Sequence, residues 1–267
     1  RQGYVTHIIE KGDRLGGQAL NLYRTASGED VQQKLGEMIK SVESEENIRI
    51  HLNTTLSKVD GFVGNFTSTL SSNGNEETLD HGVVVLATGA SALKPDEYGY
   101  GQDPRIVTSL ELDRKFIDND DSLEKVETAV FIQCVGSREP ERPYCSRVCC
   151  THSVDNALEL KRRNPKMSVF VLYRDIRTYG EREYLYREAR VTGVVFVRYS
   201  LDNKPKVQIK KKKIEITVVD HVLGRPIQID ADLLSLASAV IPAGNGPLAQ
   251  FFKVPVNDDG FFVEKHA

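Results

Sequence analysis

The sequence predicts an α/β fold of two nucleotide-binding-type domains with parallel central sheets, the first of them incomplete at its amino end. Three observations carry this. The chain opens on a buried-type strand that ends in an acid, YVTHIIE at 4–10. A second continuous apolar run, VVVLATGA at 83–90, closes on a small-residue turn. From residue 128 onward strand and helix patterns alternate, which is the signature of parallel sheets wound with crossover helices.

Composition sets the outer limits. The chain has 267 residues, 40% hydrophobic and 27% charged, and carries a net charge of -3, as an ordinary globular protein does. The apolar runs VVVLA at 83–87 and LLSLASAVIPA at 233–243 are too short to cross a bilayer, so no direct membrane insertion is expected. The acidic balance argues against a nucleic-acid partner. The single basic run, KVQIKKKKIEI at 206–216, sits in an alternating pattern and reads as a solvated hairpin. No secretory segment opens the chain and the cysteines are not scattered as disulfides, which together suggest a cytoplasmic protein.

Along the chain, Glu10 stands where a dinucleotide-binding unit places an acid to accept hydrogen bonds from the adenosine ribose, with Lys11 beside it. The glycine-rich turn and first helix that hold a pyrophosphate in such a unit belong upstream of that strand, so the sequence is read as a fragment of a longer protein. Gly16, Gly17 and Gln18 follow, and paired glycines let a ligand approach the backbone. Residues 29–43 place Val31, Leu35, Met38, Ile39 and Val42 at helical spacing. Short alternating segments at 48–53, 55–59, 66–70 and 77–81, separated by Gly and Asn, predict a small antiparallel sheet. The run at 83–87 is expected to be a central parallel strand whose end, Thr88 and Gly89, abuts a ligand. The acids at 118–121 read as a solvated linker to the second domain. There, strands at 128–134, 168–175 and 194–200 alternate with helices at 150–163 and 181–191.

The first half resembles the flavoproteins of the thioredoxin reductase and pyridine nucleotide-disulfide reductase kind. That resemblance implies FAD beside Glu10, Lys11, Gly16, Gly17, Gln18, Thr88 and Gly89. In such proteins a nicotinamide-binding domain is inserted next, but its glycine fingerprint is reduced here to Val135-Gly136-Ser137, which disfavours NADPH. The implied boundaries are a partial FAD domain at 1–117, an inserted module at 118–244 and a return to the FAD domain at 245–267.

In place of the fingerprint stand all four cysteines, Cys134-x10-Cys145-x3-Cys149-Cys150, on the turn between the first inserted strand and its helix. Four thiolates can complete a [4Fe-4S] cluster, and Cys149 and Cys150 at a helix amino terminus gain from its dipole, with Arg138, Arg142 and Arg147 adding positive potential. Reactive thiols, zinc and plain buried cysteines are the alternatives, although adjacent ligands strain a tetrahedral zinc site. His152 reads as a helix-surface or capping residue, and Tyr144, Tyr173 and Tyr179 as packing.

The string CVGSREPERPYCSRVCC, with NALELKRRNP, VFVLYRDIRTYG and YREARVTGVVFVRY, is similar to the HdrA flavoproteins of heterodisulfide reductase and their QmoA-type relatives from sulfate reducers. PLAQFFKVPVNDDGFFVEKHA resembles the same family's return into the FAD domain. The resemblance implies an oxidoreductase component in which FAD relays electrons to iron-sulfur clusters, working with the other subunits of a heterodisulfide reductase-like or Qmo-like complex. Two alternatives stand beside it, a redox-inert docking module and an NAD(P)H-dependent disulfide reductase-like enzyme. The glycine-rich FAD fingerprint and the family's ferredoxin-type CxxCxxC clusters are absent from this chain.

Overall fold

The computed structural model describes residues 3–263, so residues 264–267, the end of the stretch read as returning to the first domain, lie outside the described residues. The chain divides into two compact units, one made of residues 1–20, 30–91 and 242–267 and the other of 21–29 and 92–241.

In the first unit, β1 (Thr6–Ile9) pairs in parallel with β2 (Ile48–His51), Thr6 opposite Ile48. Between them α1 (Val31–Glu43) starts at Asp30, whose side chain accepts from the Gln33 amide. This is a right-sized crossover, since parallel strands need a helix-length connection. It also corrects the expectation that 48–53 joins the antiparallel sheet: strand pairing is decided by distant partners, and the segment's alternation does not encode them. The antiparallel meander is β3 (Thr54–Phe62), β4 (Asn65–Ser72) and β5 (Asn75–His81). Phe66 and Leu70 point inward from β4, and the Phe66 ring meets Phe252 edge-on at 5.6 Å.

Residues 83–89, expected as a central strand, form no ladder; only β6 (Ala90–Ala92) follows. An apolar run becomes a buried strand only with a sheet edge to pair and a layer to cover it. Here Val83 and Val85 remain 77% and 83% exposed.

The second unit is organised by a five-stranded, all-parallel sheet. It is built from β7 (Ile106–Thr108), β8 (Thr128–Val135), β9 (Ser168–Tyr173), β10 (Val195–Arg198) and, after the hairpins described next, β14. The helices α2 (Ser109–Ile117), α3 (Cys149–Arg163) and α4 (Glu183–Val191) connect the first four. β11 (Lys206–Ile209), β12 (Ile214–Asp220) and β13 (Arg225–Ala231) form an antiparallel meander, and the lysine run makes its first turn as expected. β14 (Leu233–Ser238) then enters the sheet between β8 and β7, giving the order β10-β9-β8-β14-β7. β8 is buried along nearly its whole length because both its faces are covered. Phe131 joins Phe116, Val154 and Leu158 on the helix side, while Val130 and Ile132 join Ile214, Ile216 and Leu234 on the meander side.

The acids at 118–121 are not a linker. Asp118 ends α2, and Asp120 caps the following 3-10 turn and pairs with Lys115 at 2.5 Å, so they are local capping groups within this unit. β15 (Val240–Pro242) and α5 (Gly246–Phe252) complete the chain. Among the described residues no helix is long and apolar enough to cross a membrane.

Candidate functional site

The cysteine site lies at the carboxyl end of β8, where an open parallel sheet places its ligands, beside the point at which strand order reverses from β8 to β14. β8 ends in a tight wind in which Cys134, Gly136 and Arg138 all adopt the left-handed region, with φ of 59, 67 and 57°. A side chain in that region costs energy that glycine avoids, so Cys134 occupies a position where glycine would relax the turn. A Cβ on Gly136 would approach the end of the Leu93 side chain to 2.4 Å and would sit on a backbone of positive φ, so both favour glycine there.

All four cysteines are free thiols; Cys134, Cys149 and Cys150 are buried and Cys145 is half-buried. Cys149 and Cys150 open α3, whose preceding Val148 offers no side-chain cap, so their end of the helix keeps its amide potential. Cys149 donates to Cys150, which raises the Cys149 pKa and lowers that of Cys150. The backbone amide of Arg177 and the Arg138 and Arg177 guanidiniums push Cys150 the same way. Burial pushes Cys134 up, against the pull of Arg174 and Arg138. Among the described residues no three His, Cys, Asp or Glu side chains are grouped to hold a single metal ion. A four-iron cluster takes one thiolate on each iron and so spreads its ligands wider than one ion does. The donor set, four thiols with buried cationic neighbours, fits such a cluster chemically.

What shapes the loop is Arg174, which follows β9 and is 8% exposed. Its guanidinium donates to the carbonyl oxygens of Arg138 at 2.8 Å, Cys134 at 3.3 Å and Ser137. Arg138 in turn reaches Asp175 at 2.6 Å and lies 3.8 Å from the Cys134 sulfur. A nucleotide-binding turn aims backbone N–H groups at an anion; this turn aims carbonyls at a cation. Sequence reasoning gives Arg174 and Asp175 no role beyond a strand end, although charged residues closing a buried strand at this edge are a usable signal.

The other residues singled out have definite places. Arg142 donates to the Gly136 carbonyl at 3.5 Å, and the Arg147 amide to the Cys145 sulfur at 3.4 Å. His152 is not a plain surface residue: its Nε2 lies 2.9 Å from the buried Asp113 carboxylate, which also accepts from Asn156 and from the Tyr23 amide. Tyr144 donates to the Val240 carbonyl and Tyr173 packs on Phe196, whereas Tyr179 is exposed.

In the first unit, Glu10 directly follows β1, and one carboxylate oxygen accepts from Gly12 at 2.6 Å while the other has no partner among the described residues. Lys11 is exposed. Gly16 and Gly17 carry positive φ, and a Cβ on Gly17 or Gly89 would meet open space. Gln18 donates to the Ala90 carbonyl at 3.2 Å, and Thr88 to Asn245 at 2.9 Å. The structure therefore joins Gln18 to the end of the 83–90 run and Thr88 to the turn before α5.

No family model matches the chain. It is 33% identical over 211 residues to the HdrA component of the H(2):CoB-CoM heterodisulfide,ferredoxin reductase of Methanothermobacter thermautotrophicus, covering 72% of this chain and 31% of that protein. It is 34% identical over 212 residues to the corresponding iron-sulfur subunit of the CoB-CoM heterodisulfide reductase of Methanocaldococcus jannaschii, covering 72% and 32%. The chain thus spans about a third of the length of these curated relatives. Among solved structures it is similar to thioredoxin reductase from T. acidophilum, with a TM-score of 0.56 at 12% identity over 97% of this chain and 76% of that one. It is likewise similar to the bacillithiol disulfide reductase Bdr of Bacillus cereus, with a TM-score of 0.56 at 16% identity over 97% and 77%. These likenesses establish the fold, which this chain shares with thioredoxin reductase and bacillithiol disulfide reductase.

Proposed function

Since this chain belongs to the HdrA-like family of heterodisulfide reductase flavoproteins, we propose that it is an electron-transfer module of a flavoprotein oxidoreductase, with FAD on its first unit and a [4Fe-4S] cluster on its four cysteines. The single observation that supports this best is the cysteine turn itself. Four free thiols fill the place where a nicotinamide nucleotide would need glycines, under arginines that offset thiolate charge.

When bound, FAD supplies exchange between electron pairs and single electrons, and the cluster supplies a one-electron relay. The chain's own part is binding and orientation. Glu10 offers to ribose hydroxyls the carboxylate oxygen that has no partner among the described residues, and Lys11 beside it offsets phosphate charge. Gly17 and Gly89 leave open space for a ring or phosphate to approach the backbone, Gly16 precedes them against Leu20 and Leu35, and Gln18 and Thr88 fix the two segments that border it. Cys134, Cys145, Cys149 and Cys150 hold the cluster; Arg174 and Arg138 fix the loop and balance its charge. The partners are the other subunits of a heterodisulfide reductase-like or Qmo-like complex in the cytoplasm.

The experiment is iron, acid-labile sulfide and visible absorbance on anaerobically purified protein. The reading expects flavin bands with a broad cluster shoulder, and loss of iron in Cys145→Ser. A docking module without redox groups is the competing reading. Colourless, iron-free anaerobic protein would establish that alternative instead.

A further inference from the structure

Three histidines of the first unit lie close together, His7 on β1, His51 on β2 and His81 at the end of β5. The first two are joined: His7 Nδ1 lies 2.9 Å from His51 Nε2. Their ring centres are 5.2 Å apart with planes 20° from parallel, so the two nitrogens lie between the centres and meet edge to edge. This is a hydrogen bond between two bases, and it needs one proton at the contact.

An imidazole carries one N–H when neutral and two when charged. Two neutral rings can share the bond, and so can a neutral ring with an imidazolium. Two imidazoliums cannot, because both facing nitrogens then carry hydrogen and the rings repel. The surroundings add to that repulsion: Arg49 stands opposite His7 in the register of β1 with β2, and His81 faces it from β5, where Glu77 is the opposing carboxylate. His81 itself differs, since its ring nitrogens already reach the Ser68 hydroxyl at 2.7 Å and the Val83 carbonyl at 3.2 Å, and a hydroxyl can accept from a charged ring. Burial, with His51 and Arg49, holds the His7 pKa below its ordinary 6.5.

We infer that His7 and His51 form a proton-operated clasp, which holds β1 to β2 while the pair carries at most one extra proton and releases β1 when both rings are charged. What the clasp holds is short. Among the described residues β1 pairs with β2 alone, over four residues. Just beyond it stands Glu10, whose amide donates to the His51 carbonyl at 2.9 Å and whose carbonyl accepts from the Thr54 amide at 3.0 Å. Opening β1 therefore displaces Glu10 and, in a consequence that rests on the reading of Glu10 as a ribose contact, loosens FAD in acid. Because the His7 value is depressed, the folded chain binds fewer protons than the unfolded one once pH falls below 6.5. The pair's contribution is complete above that pH and is lost as pH drops from it toward the depressed value.

The test is native-state hydrogen exchange of the 267-residue chain from neutral to mildly acidic pH, corrected for the intrinsic pH dependence of amide exchange. Amides of β1 and of Glu10 should lose at least about threefold of their protection in acid, while those of β8 keep theirs. His51→Gln leaves His7 a hydrogen-bond partner that cannot charge, so it should abolish the change, and His7→Gln should do the same. The ring resonances of the wild-type chain give a readout that needs no variant: the two histidines should titrate in separated steps, the second at lower pH than an isolated histidine. Independent titration of both rings at the ordinary value, β1 protection unaltered by acid, or an acid loss that persists in His51→Gln each overturn the clasp. Flavin fluorescence on the same samples separates the two readings, since acid loss of β1 protection in a chain that holds no flavin at any pH keeps the clasp and removes the ribose role of Glu10.

Discussion

Replacing Arg174 by Gln should unfasten the cysteine loop, and the cost follows from what that side chain holds. Its guanidinium is the donor to three carbonyls, those of Cys134, Ser137 and Arg138, on a wind from 134 to 138 that holds two non-glycine residues in the left-handed region. Each such residue stores roughly 1–2 kcal/mol of backbone strain. The hydrogen bonds that oppose this are charge-assisted, worth about 1.5–3 kcal/mol each before the burial cost of the charge is returned. Offsetting one against the other leaves a net loss of about 2–4 kcal/mol, within the range for removing one partner of a buried charged network. For a chain of this size that is a fall in Tm of roughly 5–15 °C. Thermal circular dichroism reads the fall, and native-state hydrogen exchange locates it, since amides from 134 to 148 should open first. Arg174→Lys keeps the charge but not the fork and should recover only part of the loss. A Tm within about 1 °C of wild type, with unchanged exchange over that loop, would show that the three carbonyls are held by something other than Arg174.

Cys134→Gly exchanges a buried thiol for relief of a positive φ, so the two effects should nearly cancel; chemical denaturation is expected within about 1 kcal/mol of wild type while bound iron is lost, and iron at the wild-type level would remove Cys134 from the ligand set. Asp155 on α3 has its pKa raised to about 6, chiefly by burial. The folded state therefore binds more protons than the unfolded one between its ordinary carboxylate value and about 6, and this carboxyl's contribution is greatest in acid and lost as pH rises through that window. Asp155→Asn should accordingly be more stable than wild type at pH 7 and indistinguishable near pH 4 in urea midpoints; a gap that widens in acid would contradict the assignment. Val83 and Val85 are largely exposed, so Val83→Thr with Val85→Thr should shift stability by under about 0.5 kcal/mol, and sedimentation should show less concentration-dependent association.

These outcomes divide along the line between what local pattern encodes and what distant pairing decides. β8 is legible because a parallel strand buried on both faces announces itself as an apolar run, β9 and β10 because strand and helix patterns alternate there, and α3 because its apolar spacing is helical. The run at 83–87 has the same local signature as β8 yet forms no strand, because burial of both faces is supplied by neighbours and not by the run itself. The parallel pairing of β2 with β1 was hidden for the same reason. Some of what was missed did have a local signal. Thr108-x-x-Glu111 is a capping box, present in the structure with both reciprocal bonds, and it marks the start of α2 well before the boundary expected at 117.

The site follows the same division with a sharper consequence. The clustering of four thiols on a strand-to-helix turn was readable from spacing alone, because that turn is fixed by local periodicity on either side. Its electrostatics were not, because Arg174, Asp175 and Arg198 approach it from β9 and β10, 36 to 64 residues away in sequence from Arg138 and Cys134. Arg138, Arg142 and Arg147 were the arginines expected to matter, yet only Arg138 both touches a cysteine through its side chain and pairs with a carboxylate. The guanidinium that sets the loop's shape comes instead from the neighbouring strand. Here the cation that fills the ring of carbonyls comes from the next strand of the sheet, with Arg142 from the turn itself reaching only the Gly136 carbonyl. Positive charge at the end of the strand adjacent to a cysteine-bearing turn is therefore the feature to look for when the glycine fingerprint is missing.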